Sequence, residues 1–202
     1  MAWYDIFSRF YDASLEPLYR EQRRLAVQAL RVKEGSAVLD VPCGTGQSFA
    51  ELAAATGKTG RILGVDRSAG MLREAQRRVT AQALTQITLL DRDARALTVD
   101  DLGGRPDRLL VFLGMTVFPE PEAIFDHLWS LLAPAGRCVL VDVHAERPGL
   151  QGRMVEWIAR ADLTRRFWEP LERAGTGFTK EELPFDPRHG GQILLAAADK
   201  PR

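Results

Sequence analysis

Val38-Leu39-Asp40-Val41-Pro42-Cys43-Gly44-Thr45-Gly46-Gln47 reads as a buried strand, a tight glycine turn and the start of a helix. Glycine lets the backbone approach a ligand closely, and a helix that opens just after the turn aims its unpaired N–H groups at whatever is held there. In an open α/β sheet, ligands bind at this place, past the carboxyl end of a strand. One such turn is weak evidence, but the next strands repeat the pattern. Gly64-Val65-Asp66 ends a second apolar run. Its acid falls about 20 residues past the turn, the interval at which a carboxylate accepts hydrogen bonds from ribose hydroxyls. Leu90-Asp91-Arg92-Asp93-Ala94 ends a third. Three successive strand ends are thus expected to present an acid to one crevice.

Working outward, short Leu- or Val-rich runs alternate with longer stretches of helical period, the pattern of a parallel sheet covered by helices. The predicted strands are Ala37–Val41, Arg61–Val65, Ile87–Leu90, Arg108–Leu113, Cys138–Val143 and Gln192–Ala197, with a weaker one near Phe178–Leu183. Runs such as Leu109-Leu110-Val111-Phe112-Leu113 are continuously apolar, as strands buried on both faces must be. The predicted helices are Gly46–Ala55, Ala69–Ala83, Pro121–Ala133 and Thr164–Ala174. Ser68 is placed to N-cap the second of these, Pro121 suits a first turn, and Pro134-Ala135-Gly136 stops the third. A further helix near Glu16–Leu30, turning Leu18, Leu25 and Leu30 inward, is expected within an aromatic-rich N-terminal cap over residues 1–34. With the core over residues 35–202, the reading is a single domain.

Length and composition agree. The chain has 202 residues, 46% hydrophobic and 27% charged, which supports a packed core and rules out a collagen-like, disulfide-scaffold or disordered chain. Its 27 basic and 27 acidic residues balance. That argues against a protein holding duplex nucleic acid through phosphate contacts. No run approaches the roughly 20 apolar residues of a membrane span, and the first residues lack the pattern of a signal peptide. Cys43 and Cys138 form no metal-binding spacing, so two free thiols, no metal and a cytoplasmic location are expected.

The ordered motifs from Ser36 to Val143 resemble those of class I S-adenosylmethionine-dependent methyltransferases. That resemblance implies a Rossmann-like, doubly wound, mostly parallel seven-stranded sheet of order 3-2-1-4-5-7-6 with strand 7 antiparallel. It also implies roles for matching positions. Asp40 and the turn Cys43, Gly44, Thr45 and Gly46 would hold the amino-acid end of the cofactor, and Asp66 the ribose, with Arg67 beside it. Met71, Asp93 and Ala94 would meet the adenine, while Leu113 and Gly114 would line the cofactor. The family commonly has glycine where this chain has Pro42, which lacks a backbone donor, so the turn must work through Cys43 to Gly46. Within the family, Tyr11-Asp12 and the helix Leu18–Arg24 resemble small-molecule and lipid enzymes, those of ubiquinone, menaquinone and phospholipid headgroups.

Methyl transfer from a sulfonium needs alignment and exclusion of water, and a general base only when the acceptor still carries its proton. Asp142 and His144 are two residues apart at the end of the fifth strand and so point the same way, which makes them candidates, with Tyr11, for work on the acceptor. His127 reads as structural and His189 as part of a surface hairpin. Arg153, Arg160, Arg165 and Arg166, around Met154-Val155-Glu156-Trp157-Ile158, stand where such folds bind acceptors. They would suit an anionic substrate or peripheral contact with a membrane surface. Two other classes remain open: a protein that binds the cofactor as a sensor or assembly partner without turnover, and a nicotinamide-dependent oxidoreductase. The latter is disfavoured because G-x-G-x-x-G would need glycine where Phe49 stands.

Overall fold

The computed structural model describes residues 19–184 and 190–202. Seven strands form one sheet: β1 (Ala37–Asp40), β2 (Arg61–Asp66), β3 (Ile87–Asp91), β4 (Arg108–Phe112), β5 (Arg137–His144), β6 (Thr176–Glu182) and β7 (Gln192–Asp199). Their order is β3-β2-β1-β4-β5-β7-β6. The first five are mutually parallel, and β7 runs antiparallel between β5 and β6. The expected order and the reversed seventh strand are therefore both present.

Alternation along the strands divides the core in two. Leu39, Leu63, Val65, Leu109, Val111 and Leu140 face one side, against α4 (Pro121–Leu131) and α6 (Glu169–Ala174). Val38, Ile62, Leu110, Phe112, Val139 and Val141 face the other, against a helix over residues 19–29 (α1), α2 (Phe49–Thr56) and Ala75 of α3 (Ala69–Ala81). Every residue of β5 is buried. The caps behave as expected: the Ser68 hydroxyl accepts from Met71 N at 3.3 Å, and Pro121 sits in the first turn of α4.

Four elements differ from the sequence reading. Helix α2 begins at Phe49 rather than Gly46, because Gly46 adopts φ 74° and closes a turn on the Cys43 carbonyl at 3.0 Å. The predicted helix Thr164–Ala174 survives only as α6, since Pro170 has no N–H to continue an earlier helical turn, and Asp162 and Arg165 bind other partners. Residues Leu150–Ala159 form a helix, α5, that the reading left undefined. In α1 the buried face is Tyr19, Gln22, Arg23, Ala26, Val27 and Leu30, whereas Leu25 is half-buried. Two polar residues displace the leucine because Gln22 donates to the Pro184 carbonyl at 2.9 Å and Arg23 lines a cavity. Tyr11, Leu18 and His189 lie outside the described residues, as does most of the N-terminal cap.

Candidate functional site

A cavity opens past the carboxyl ends of β1, β2 and β4, where the sheet reverses its winding. Of the residues predicted for the cofactor, Asp40, Cys43, Gly44, Thr45, Asp66, Arg67, Met71, Asp93, Ala94 and Leu113 all line it. Gly46 and Gly114 do not, and both have a packing reason to be glycine. A Cβ on Gly46 would lie 2.4 Å from the Phe49 ring, and one on Gly114 would lie 2.4 Å from Cδ of Pro42. The ring of Phe49 also fills the space above Gly64, where a Cβ would stand 2.5 Å away. In the dinucleotide fingerprint a helix glycine at this place permits close helix–strand packing. Here the glycine is on the strand and the ring is on the helix.

The turn is held by its neighbours. Cys43 N donates to the Val65 carbonyl at 2.8 Å, and Gly44 N donates to Oδ2 of Asp66 at 3.0 Å. Oδ1 of Asp66 accepts from Ser68 N at 2.8 Å. Burial raises the Asp66 carboxyl, and these N–H donors pull it back toward the ionised form. Each oxygen keeps a lone pair for a further donor.

Asp40 differs. It is 1% exposed, and its Oδ2 has no hydrogen-bond partner among the described residues. Burial pushes its carboxyl up to about 8, against the pull of the Arg23 guanidinium and with a push from Asp66. A buried carboxylate oxygen without a donor is a costly arrangement that a cationic ligand group would relieve. Asp93 has the opposite character. It caps the 3-10 turn Ala94–Ala96 and is bound by Arg95 at 2.7 Å, a hydrogen bond that holds it down at about 2.

Beyond the turn, Phe112, Leu113, Val117, Phe118 and Ile158 make the cavity apolar. Leu113 has φ 53°, a conformation that strains a side chain bearing Cβ by about 1–2 kcal/mol. It is fixed there by its N–H bond to the Val141 carbonyl at 2.8 Å. Sequence reasoning missed Arg23, Gln47, Ser68 and Arg92 on the cavity wall, together with Val117 and Phe118, whereas Ile158 comes from the segment expected near the acceptor. The signal for Arg23 was available: an arginine at the same helical phase as Tyr19 and Ala26 on the buried face of a helix.

Asp142 and His144 do share a face of β5, as their spacing predicts, but that face is covered and neither lines the main cavity. Asp142 accepts from Thr116 N at 3.0 Å, Thr116 Oγ1 at 2.7 Å and Val143 N at 2.9 Å. Burial pushes its carboxyl up to about 6 against these donors. On the other side of the same loop, Nη1 of Arg165 donates to the carbonyls of Phe118 at 2.6 Å, Thr116 at 3.1 Å and Met115 at 3.3 Å. Together the two side chains fix the 114–118 loop that carries Val117 and Phe118 into the cavity. His144 donates from Nδ1 to the Arg165 carbonyl at 3.1 Å and meets Trp168 edge-on at 4.9 Å. His127 ties α4 to the Leu97 carbonyl at 2.8 Å. Both cysteines are free and buried.

This strand order, with β7 reversed between β5 and β6, is the class I methyltransferase architecture. Residues 5–158 match the ubiE/COQ5 methyltransferase family, and the chain belongs to it. Demethylmenaquinone methyltransferase of Bacillus subtilis is 31% identical over 124 residues, which are 61% of this chain and 52% of that protein. The chain spans about half the length of the curated relatives it matches. In fold it is similar to the complex of the Haloferax volcanii Trm112 methyltransferase activator with a methyltransferase, with TM-score 0.77, 20% identity and 98% of each chain covered. It is also similar to geranyl diphosphate C-methyltransferase of Streptomyces coelicolor A3(2), solved with Mg2+, geranyl diphosphate and S-adenosyl-L-homocysteine. There the TM-score is 0.72 at 14% identity, covering 89% of this chain and 76% of that one.

Proposed function

We propose that the protein transfers methyl from S-adenosylmethionine to a small-molecule or lipid acceptor, with a quinone-type ring as the acceptor class. The observation that carries this reading is the buried Oδ2 of Asp40, without a partner among the described residues, which shares a cavity with the Asp66 and Asp93 carboxylates. The cofactor offers donors of matching kinds: an α-ammonium for Asp40, two ribose hydroxyls for Asp66 and an adenine amino group near Asp93 and Ala94. Arg23, which lines the same cavity and whose charge reaches Asp40, would supply a cation for the α-carboxylate. Met71 would pack near the adenine and Arg67 would stand beside the ribose.

When bound, the donor would supply a sulfonium methyl for in-line attack by the acceptor atom, the bonding pair going to sulfur as S-adenosylhomocysteine leaves. The chain's own contribution is alignment and exclusion of water. Leu113, Val117, Phe118 and Ile158 make the apolar side on which a ring can lie. Asp142 acts through Thr116 as a positioning residue rather than on the acceptor. His144, engaged with Arg165, stays outside the reacting region, and Tyr11 remains the candidate from the N-terminal segment. The acceptor class is supported by the demethylmenaquinone methyltransferases among the relatives and by this apolar wall.

Incubation with methyl-labelled S-adenosylmethionine and a panel of short-chain demethylated naphthohydroquinones, catechols and ethanolamines tests this. Label transfer to the hydroquinones is expected. Transfer only to other members would remove the quinone assignment. Tight binding of S-adenosylhomocysteine without transfer to any acceptor would favour a cofactor-binding protein without turnover.

A further inference from the structure

Leu150, Met154 and Trp157 are 88%, 55% and 77% exposed, and all three belong to α5. Their spacings of four and three residues put them on one stripe about 10 Å long. Single exposed apolar residues are ordinary, but a contiguous stripe marks a contact surface. The helix cannot roll to bury it, because the opposite side is already committed. Gly152 is buried, and a Cβ there would stand 2.8 Å from the Gly190 carbonyl, while Glu156 accepts from Leu163 N at 3.2 Å.

We propose that α5 docks on an anionic lipid bilayer surface and brings the mouth of the cavity to it. Three side chains over two helical turns are far too few for a stable protein interface, which needs roughly 800 Å² from each partner. They suit the headgroup boundary, where Trp is favoured and a short apolar stripe sinks without a shaped counterpart. Exposed positive charge lies along the helix itself, while Glu146 and Arg147, both exposed ahead of it, balance each other. Arg153 and Arg160 are exposed along one flank, whereas Glu156, the acid of α5, is half-buried and turned toward Leu163. Ile158 and Ala159, on the same helix, line the cavity. Docking therefore places the acceptor side of the site against the bilayer, so that a lipid acceptor enters without crossing water; this last clause rests on the methyltransferase reading above.

Flotation with phosphatidylcholine vesicles and with phosphatidylcholine/phosphatidylglycerol vesicles tests the surface on the full chain. The variants are L150S/M154S/W157S and R153E/R160E, with S-adenosylhomocysteine affinity measured on every protein. The wild type should float with the anionic vesicles, less so as salt is raised, and each variant should partition roughly tenfold or more weakly. Cofactor affinity should stay unchanged. A wild type that does not float, or a triple variant that floats equally, overturns the proposal while leaving the cofactor reading standing if S-adenosylhomocysteine still binds. A wild-type dimer that the triple variant converts to monomer also overturns it, by giving the stripe to a second copy.

Discussion

Gly44 donates its backbone N–H to Oδ2 of Asp66 at 3.0 Å, so the acid at the end of β2 pins the glycine turn that follows β1. The carboxylate that organises the turn is the one proposed to receive the ribose. Turn and acid, 22 residues apart, act as one unit.

Asp66→Ala should therefore weaken S-adenosylhomocysteine binding at least tenfold, since hydrogen bonds to a charged acceptor contribute about 1.5–3 kcal/mol. Asp66→Asn keeps one carbonyl oxygen and should fall between. Calorimetry on both variants, checked for folding by circular dichroism, measures the effect. An unchanged affinity in a folded Asp66→Ala protein removes Asp66 from the site.

Asp40 gives a pH signature. Its carboxyl stands at about 8 without ligand, and an α-ammonium favours its ionised form. Binding near neutrality must release a proton, so affinity should rise with pH and level off above about 8. Calorimetry in buffers of different ionisation enthalpy counts that proton. Asp40→Asn should bind more weakly and lose both the proton release and the slope.

Asp142 gives a second pH dependence, in stability. Its folded-state value, about 6, lies above its ordinary 3.8. The contribution is therefore complete at acid pH and is lost as pH rises through about 6. The Thr116 hydroxyl opposes that shift by donating to Oδ1. Thr116→Val should cost roughly 1–2 kcal/mol at neutral pH and extend the fall in stability to higher pH. Urea denaturation of both proteins from pH 4 to 8 isolates Asp142, because Asp40 is common to the pair. Curves that stay parallel throughout would contradict the assignment.

Two glycines of one turn should respond differently to alanine. Gly44 has φ 54° and open space around a Cβ, whereas Gly46 has φ 74° and the buried Phe49 ring 2.4 Å away. Gly44→Ala should cost about 1–2 kcal/mol of conformational strain. Gly46→Ala adds overpacking of about 1–3 kcal/mol and should lower Tm by several degrees more. Equal Tm values in a thermal melt would contradict the packing described for Phe49.

The strands were legible because central parallel strands are apolar on both faces, as Leu109–Phe112 and Val139–Val141 are. The acids at their ends were legible because nothing in a core explains Asp40, Asp66 or Asp93. What escaped the sequence shares a physical cause: position was set by tertiary partners. Arg23 and Gln22 are buried in α1 because a cavity and the Pro184 carbonyl receive them, against the usual preference of such residues for solvent. Helix α5 carries Leu150, Met154 and Trp157 outward and its glycine inward, so periodicity pointed to no core face. The shared face of Asp142 and His144 followed from strand geometry, but its cover of Thr116, Arg165 and Trp168 comes from elements far along the chain. Pro170 was a readable stop within Thr164–Ala174 that the helical pattern around it masked.

The crevice between Asp40, Asp66 and Asp93 is the proposed seat of S-adenosylmethionine. Calorimetric titration of the purified chain with S-adenosylhomocysteine, with NADH as control, tests it most directly. Micromolar binding of S-adenosylhomocysteine, one per chain, with no heat from NADH, is the predicted result. Binding of NADH instead, or of neither ligand by the folded protein, would contradict it.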